Sequence, residues 1–318
     1  MTTTDTPHRV LILSKHAGAY RSQVEAASLP HLEIVSASDV ASLPDSAAAC
    51  DLVFGEPSLI AQALPRLPAV RWIQATWAGV EPLLNPTLRR DYLLTNARGV
   101  FGALMSEYVF GYMLAHERRI VEKYESQKLC QWDTRAPGTL RGKTIGLLGV
   151  GTIGATLART AKHFGMTVRG YTRASRDCRD VDAYCHGGDE VRFASELDYV
   201  VCVVPNTSAT RRLIDRDFLA ALPPRAVVIN PGRGAVIDHD ALREALECKR
   251  LAAAILDVFE TEPLPAGDPL WRTPNVYVTS HTAALSFPAD IAPLFVDNYR
   301  RLVSGEPLKY RVDFTLEY

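Results

Sequence analysis

Paired cysteines are missing from this chain. Cys50, Cys130, Cys178, Cys185, Cys202 and Cys248 are scattered, with no C-x-x-C, which argues against a disulfide framework or a zinc ribbon and reads as reduced thiols in a cytoplasmic protein. Cys178, Cys185 and His186 lie near one another but match no zinc-ligand spacing, so no metal site is read there. Long apolar runs are missing as well. Nothing approaches the length of a membrane span, and the opening MTTTDTPHR carries no apolar stretch of the secretory kind. Nor is there an excess of charge of one sign: 35 Lys and Arg stand against 36 Asp and Glu, so neither nucleic acid nor an anionic membrane is an expected partner. Internal repeats and low-complexity tracts are absent. What remains, 318 residues of which 47% are hydrophobic, has the make-up of a soluble enzyme with room for two domains.

The most informative stretch present is TIGLLGVGTIGATLARTAKHFGMTVRGYTRASR, Thr144–Arg176. Ile145–Leu148 suits a fully buried parallel strand, and Gly149, Gly151 and Gly154 form G-x-G-x-x-G. Leu157, Ala158, Ala161 and Phe164 continue at helical spacing to Gly165, and Met166–Tyr171 supplies a second strand. In such a unit the glycines serve a tight turn, close backbone approach to a pyrophosphate, and tight helix-on-sheet packing. The helix N-terminus adds N–H groups and a partial positive charge for phosphates. After the second strand an NAD enzyme usually carries Asp or Glu to hold the ribose 2′-OH. Here Thr172 is followed by Arg173 and then Arg176, which suits a 2′-phosphate through charge-assisted bonds. The expected cofactor is NADP(H) in preference to NAD(H).

Along the chain, Val10–Leu13, Leu32–Val35, Leu52–Phe54, Val70–Gln74 and Leu93–Thr95 read as short strands of a first α/β unit. Trp77, Ala78, Gly79 and Val80 follow its fourth strand, at the end where open sheets place ligands, and Gly79 lets a backbone approach a small anion. Leu104–Lys128 reads as one long connecting helix, with Gly99 and Gly102 as hinge candidates. Further strands are expected at Tyr199–Val204, Ala226–Ile229, Leu251–Leu256 and Val276–Thr279. The helix Ala289–Arg301 is expected to return to the first unit. The expected architecture is α/β, two doubly wound parallel-sheet, Rossmann-like domains with a cleft between them. The substrate domain is discontinuous, over 1–98 and 286–318, and the dinucleotide domain spans 99–285.

Arg233, Glu262 and His281 stand at those later strand ends. Each alone reads as an ordinary loop residue, but together they suit a proton-coupled hydride transfer. A cation fixes a substrate carboxylate and polarises its keto group, and an acid protonates the oxygen as hydride reaches carbon. Histidine changes charge near neutral pH, and a carboxylate beside it stabilises the imidazolium.

In its blocks LRGKTIGLLGVGTIG, VVINPGRGAVIDHDAL, AAILDVFETEPLP and DPLWRTPNVYVTSHTAA, with the earlier ATWAGVE and MSEYVF, the chain resembles the D-isomer-specific 2-hydroxyacid dehydrogenase family over nearly its whole length. Its Thr172/Arg173 pair looks most like the glyoxylate/hydroxypyruvate reductase branch. The resemblance implies Arg233 at the substrate carboxylate and keto group, His281 as general acid/base and Glu262 as its partner. Backbone N–H groups of the Ala78–Val80 loop would hold the carboxylate, with Trp77 beside them. It further implies Gly151, Thr152 and Ile153 at the pyrophosphate, Arg173 at the 2′-phosphate, Pro205 and Thr210 along the adenosine, and Asp257 at the nicotinamide amide. Pro231 and Ala283 complete the cofactor contacts. A homodimer built through the cofactor domains is implied, acting on a small 2-keto or 2-hydroxy acid. Two features depart from the pattern: Ser280 stands where the family commonly has Pro, and Thr282 where it often has an aliphatic residue. Two other readings share the fold. One is a non-catalytic nucleotide-sensing scaffold, the other a dehydrogenase of a larger 2-hydroxy acid. Formate dehydrogenase is disfavoured because Glu262 stands where that branch carries Gln.

Overall fold

Runs of four to six aliphatic residues, too short for helices and bounded by polar turns, pair in parallel and are covered on both faces by helices. In the computed structural model, residues 7–173 and 177–317 are described. The chain divides into two compact units, one of residues 1–100 with 286–318 and the other of 101–285.

The first unit runs β1 His8–Leu13, α1 Ala17–Ala26, β2 Leu32–Ala37, β3 Leu52–Gly55, α2 Pro57–Ala63, β4 Trp72–Ala75 and β5 Leu93–Thr95. The sheet order is β2-β1-β3-β4-β5, parallel throughout. The chain's last helix closes one face of this sheet. Its Phe295 stacks on Trp72 and Phe54 at 5.3 and 4.9 Å between ring centroids, and its Asn298 donates to Gln74 Oε1 at 3.0 Å. All five of these side chains are buried, so the helix is tied down by apolar area and by a satisfied buried amide pair.

The second unit contains α3 Gly102–Glu117, α4 Ile120–Lys128, β6 Thr144–Leu148, α5 Thr152–His163, β7 Thr167–Tyr171 and β8 Ala183–Cys185. It continues with α6 Glu190–Ala194, β9 Tyr199–Cys202, α7 Arg216–Ala221, β10 Val227–Asn230, α8 His239–Glu247, β11 Ala253–Leu256 and β12 Val276–Val278; the last helix, α9 Pro288–Val303, belongs to the first unit. Its order, β8-β7-β6-β9-β10-β11-β12, puts the crossover of strand sequence between β6 and β9. That is the switch point at which doubly wound sheets bind ligands. Separate apolar clusters cover the two faces, one around Phe193, Phe218 and Leu242, the other around Val109, Leu157 and Ile255.

Three local features differ from the sequence reading. The expected helix over 104–128 is broken: Arg119 takes a left-handed conformation (φ 55°) between α3 and α4. No glycine or proline marks that break. Gly102, read as a hinge, is helical and lies against α5, where an added Cβ would come within 2.5 Å of Thr156 Oγ1. Close packing is its reason for being glycine. The edge strand β8 is too short, at three residues, to show a period. Among the described residues, no helix is long and apolar enough to cross a membrane, and no group of three metal-ligating side chains is found.

Candidate active site

The first β-α junction of the second unit forms a cradle. Gly149 has φ +96° and an added Cβ would lie 3.1 Å from the Val203 carbonyl oxygen, so this turn demands glycine. At Gly154 a Cβ would lie 2.2 Å from the Gly149 carbonyl oxygen, which is the close helix-on-strand packing. Gly151 differs from both. It N-caps α5 without a side-chain hydrogen bond, and a Cβ there would meet nothing within 4 Å. A surface left open above the uncapped N-terminus of a 12-residue helix fits a dinucleotide's pyrophosphate. Thr152 is exposed and Ile153 half-buried beside it.

At the end of β7 stands Thr172, the residue expected beside the ribose, with 9% exposure. Its N–H donates to Cys185 O at 3.2 Å, and its carbonyl accepts from His186 Nδ1 at 2.6 Å. Arg173 follows, exposed; Arg176 lies outside the described residues. Past β9, Thr210 Oγ1 donates to the Pro205 carbonyl at 2.6 Å, closing the turn expected beside the adenosine.

The side chains expected to carry the chemistry, Arg233, Glu262 and His281, follow β10, β11 and β12. After β10, Asn230 Nδ2 donates to Arg233 O at 2.9 Å and Gly232 N donates to Asn230 Oδ1 at 3.1 Å, folding the loop that contains Pro231 and aims Arg233. Arg233 Nη1 donates to Gly232 O at 2.7 Å. Gly234 lets this loop touch the next one: an added Cβ would lie 2.1 Å from the Phe259 carbonyl carbon. That neighbouring turn carries Glu262. Its Oε1 accepts from Phe259 N at 2.9 Å, and its Oε2 stands 2.7 Å from His281 Nδ1. The carboxylate is thereby anchored before it meets the imidazole. With Nδ1–H given to Glu262, Nε2 is the atom left to exchange a proton.

Asp257, expected beside the nicotinamide amide, is 1% exposed and faces the histidine loop. Its Oδ1 accepts from Thr279 Oγ1 at 2.5 Å and Thr282 N at 2.9 Å, and its Oδ2 accepts from Ala283 N at 2.9 Å. Its carbonyl accepts from His281 N at 2.8 Å. The aspartate is a clamp on this loop, and Ala283 is one of the residues it grips.

In the first unit the loop after β4 is folded from behind. Asn96 Nδ2 donates to Ala78 O at 2.8 Å and Ala97 N to Trp77 O at 3.0 Å. Among the described residues, no backbone carbonyl accepts from the N–H groups of Ala78, Gly79 and Val80, and Trp77 is 40% exposed. Asn96 was not legible as part of this loop, because its contact spans 18 residues and the sequence around it reads as turn.

Residues 110–283 match the model of the D-isomer specific 2-hydroxyacid dehydrogenase NAD binding domain, more than half of the chain and almost all of the second unit. The chain belongs to the D-isomer specific 2-hydroxyacid dehydrogenase family. It is thus a member of an oxidoreductase family, and it is similar to proteins named as glyoxylate/hydroxypyruvate reductases. Glyoxylate/hydroxypyruvate reductase A of Serratia proteamaculans is 35% identical over 258 residues, covering 78% of this chain and 82% of that protein. Glyoxylate/hydroxypyruvate reductase B of Pectobacterium carotovorum is 37% identical over 254 residues, covering 77% and 78%. Among solved structures, a family member from Aeromonas salmonicida superposes with a TM-score of 0.93 at 39% identity, covering 97% of this chain and all of that one. One from Xanthobacter autotrophicus, in complex with NADPH and MES, gives 0.89 at 30%, covering 98% of this chain and 100% of that one. Sequence reasoning did not single out Thr279 or Asn96. Each hydrogen-bonds a loop from behind, and such contacts leave no local pattern.

Proposed function

We propose that this chain reduces a small 2-keto acid of the glyoxylate/hydroxypyruvate type to the D-2-hydroxy acid, with NADPH preferred over NADH and His281 as the proton donor. The observation that carries the reading is the His281–Glu262 pair at 2.7 Å beside the Arg233 loop, all at one edge of a sheet whose switch-point turn is glycine-lined. When bound, the reduced nicotinamide supplies the hydride. Arg233 holds the substrate carboxylate and draws electron density toward the keto oxygen. Protonated His281 gives its Nε2 proton to that oxygen as the carbon–oxygen double bond becomes single, and Glu262 stabilises the imidazolium beforehand. Backbone N–H groups of Ala78, Gly79 and Val80 are assigned to the carboxylate, and Trp77 to limiting the size of the substituent. Gly149, Gly151, Thr152, Ile153 and Gly154 are assigned to the pyrophosphate, Thr172, Arg173 and Arg176 to the 2′-phosphate end, Pro205 and Thr210 to the adenosine, and Pro231, Asp257 and Ala283 to the nicotinamide side. The relatives named as glyoxylate/hydroxypyruvate reductases, and the NADPH bound by the Xanthobacter protein, support this choice.

The test follows NADPH absorbance with glyoxylate and hydroxypyruvate, against pyruvate, 2-ketoisocaproate and phenylpyruvate. The two small acids are expected to turn over best. His281→Ala is expected to lower kcat about 10²–10⁴-fold while NADPH still binds. A protein that binds NADPH but reduces none of these acids would be the nucleotide-sensing scaffold instead.

A homodimer is proposed on the row of exposed apolar side chains Ile120, Val121, Tyr124, Leu129 and Trp132 on and after α4, the last 93% exposed. Sedimentation velocity checks it. We place the enzyme in the cytoplasm on its six cysteines, all free.

A further inference from the structure

The loop that presents His281 is held in a conformation it would not choose. His281 itself has φ 55°, in the left-handed region that a residue with a Cβ avoids. The four hydrogen bonds that Asp257 accepts, from Thr279, His281, Thr282 and Ala283, fix it there. A carboxylate can only accept, so the single hydroxyl proton of Thr279 goes to Asp257 Oδ1. The Thr279 oxygen is then an acceptor, and Tyr108 Oη lies 2.8 Å from it. The direction is therefore determined: Tyr108 donates to Thr279, and Thr279 donates to Asp257. Burial pushes the Tyr108 hydroxyl well above the usual phenol range, which keeps it a donor. The ring is fixed as well, tilted against Tyr112 at 4.9 Å, with Tyr112 in turn 6.3 Å from Tyr277 on β12. The contact joins α3 to the histidine loop across 171 residues of sequence.

We propose that Tyr108, acting through Thr279 and Asp257, is a positioning residue that sets the orientation of His281. Its hydroxyl contact is with Thr279 and its ring lies against Tyr112. By completing the hydrogen bonding of Thr279 it strengthens the grip of Asp257 on the loop, since hydrogen bonds in a chain polarise one another. The proposal rests on the reading of His281 as the proton donor. Rate in such a site depends steeply on the geometry of the acid, so kcat is the quantity this contact is expected to govern.

Tyr108→Phe keeps the ring and removes the donor. It is expected to lower kcat about two- to tenfold, with KM for the keto acid and Kd for NADPH unchanged. Thr279→Val removes both links and is expected to lower kcat at least as much, while Thr279→Ser keeps the hydroxyl and stays near the parent rate. Tyr108→Phe added to Thr279→Val should cost nothing more, because the chain is already cut. The separating measurement is Tyr108→Phe made in His281→Ala, where the residual rate should not fall further. Tyr108→Phe at full kcat, or an equal drop with and without His281, overturns the proposal and leaves a merely structural tyrosine. A His281→Ala enzyme that keeps its rate would sink the functional reading instead, and the relay with it.

Discussion

The first strand of each sheet in chain order, β1 or β6, runs into a helix and is flanked by a parallel strand on either side, yet the two junctions have opposite chemistry. In the second unit β6 leads into Gly149-Val150-Gly151, and the next strand over, β9, ends in Val203 and Val204. Among the described residues, no side chain caps the α5 terminus with a hydrogen bond. In the first unit β1 leads into Ser14-Lys15-His16, and the next strand over, β3, ends in Glu56. That glutamate, 7% exposed, puts its own carboxylate at the junction: Oε1 accepts from Ser14 Oγ and from Lys15 N, both at 2.8 Å. The site that could have received an external anion has been satisfied from within. The topology of a doubly wound sheet therefore offers the position, and the residues of one turn decide whether it binds a ligand or consolidates the fold.

The sharpest way to break this contrast is to give the second unit the first unit's solution. Gly151→Asp fits sterically, because Gly151 has open space beside it and an ordinary negative φ of −86°. It sets a carboxylate where the pyrophosphate is proposed to lie. Two like charges about 4 Å apart repel by about 4 kcal/mol at an effective dielectric near 20, so NADPH affinity is expected to fall about a hundred- to a thousandfold. Thermal stability should hardly change. Fluorescence titration with NADPH measures the first and a melting curve the second. Unimpaired NADPH binding would show that the cradle is not the cofactor site.

A smaller effect sharpens the cofactor reading at the other end of β7. Arg173→Ala is expected to weaken NADPH about ten- to a hundredfold, since a hydrogen bond to a charged group contributes about 1.5–3 kcal/mol. NADH should be unaffected. Thr172→Asp together with Arg173→Ala should go further and favour NADH, because the new carboxylate repels a 2′-phosphate and accepts from a ribose hydroxyl. Kd values for both cofactors decide it, and a parent protein already preferring NADH would refute the assignment.

The contrast also explains what could be read from the chain. The glycine turn, the apolar strands and the loops bearing Arg233, Glu262 and His281 are local patterns, and local patterns survive in a sequence. The Glu56 plug was invisible because its partners Ser14 and Lys15 lie 42 and 41 residues away, and nothing in GEPSL announces an inward-facing carboxylate. Asp257 was placed at the nicotinamide amide by the family resemblance, and the folded loop adds what the sequence did not show, that its oxygens also accept from Thr279, Thr282 and Ala283. The break between α3 and α4 rests on one arginine in a left-handed conformation, with no glycine or proline beside it to announce the break.

The least disruptive test lies in the first unit, and there function should not move while stability does. Glu56→Gln preserves the shape and keeps one carbonyl oxygen for Ser14 Oγ and Lys15 N, but it removes the negative charge that strengthens both bonds. It also places an amide N–H₂ where only an acceptor was needed, at a site almost closed to water. The expected cost is about 1–3 kcal/mol, read as a lower urea midpoint in a fluorescence transition reported by Trp72, which is buried in the same sheet. NADPH affinity should stay at the parent value, because the charge being removed serves the first unit's own junction. If Glu56→Gln instead weakened NADPH binding without lowering the urea midpoint, the carboxylate would belong to the binding machinery, and the division between an internally satisfied junction and an open one would be wrong.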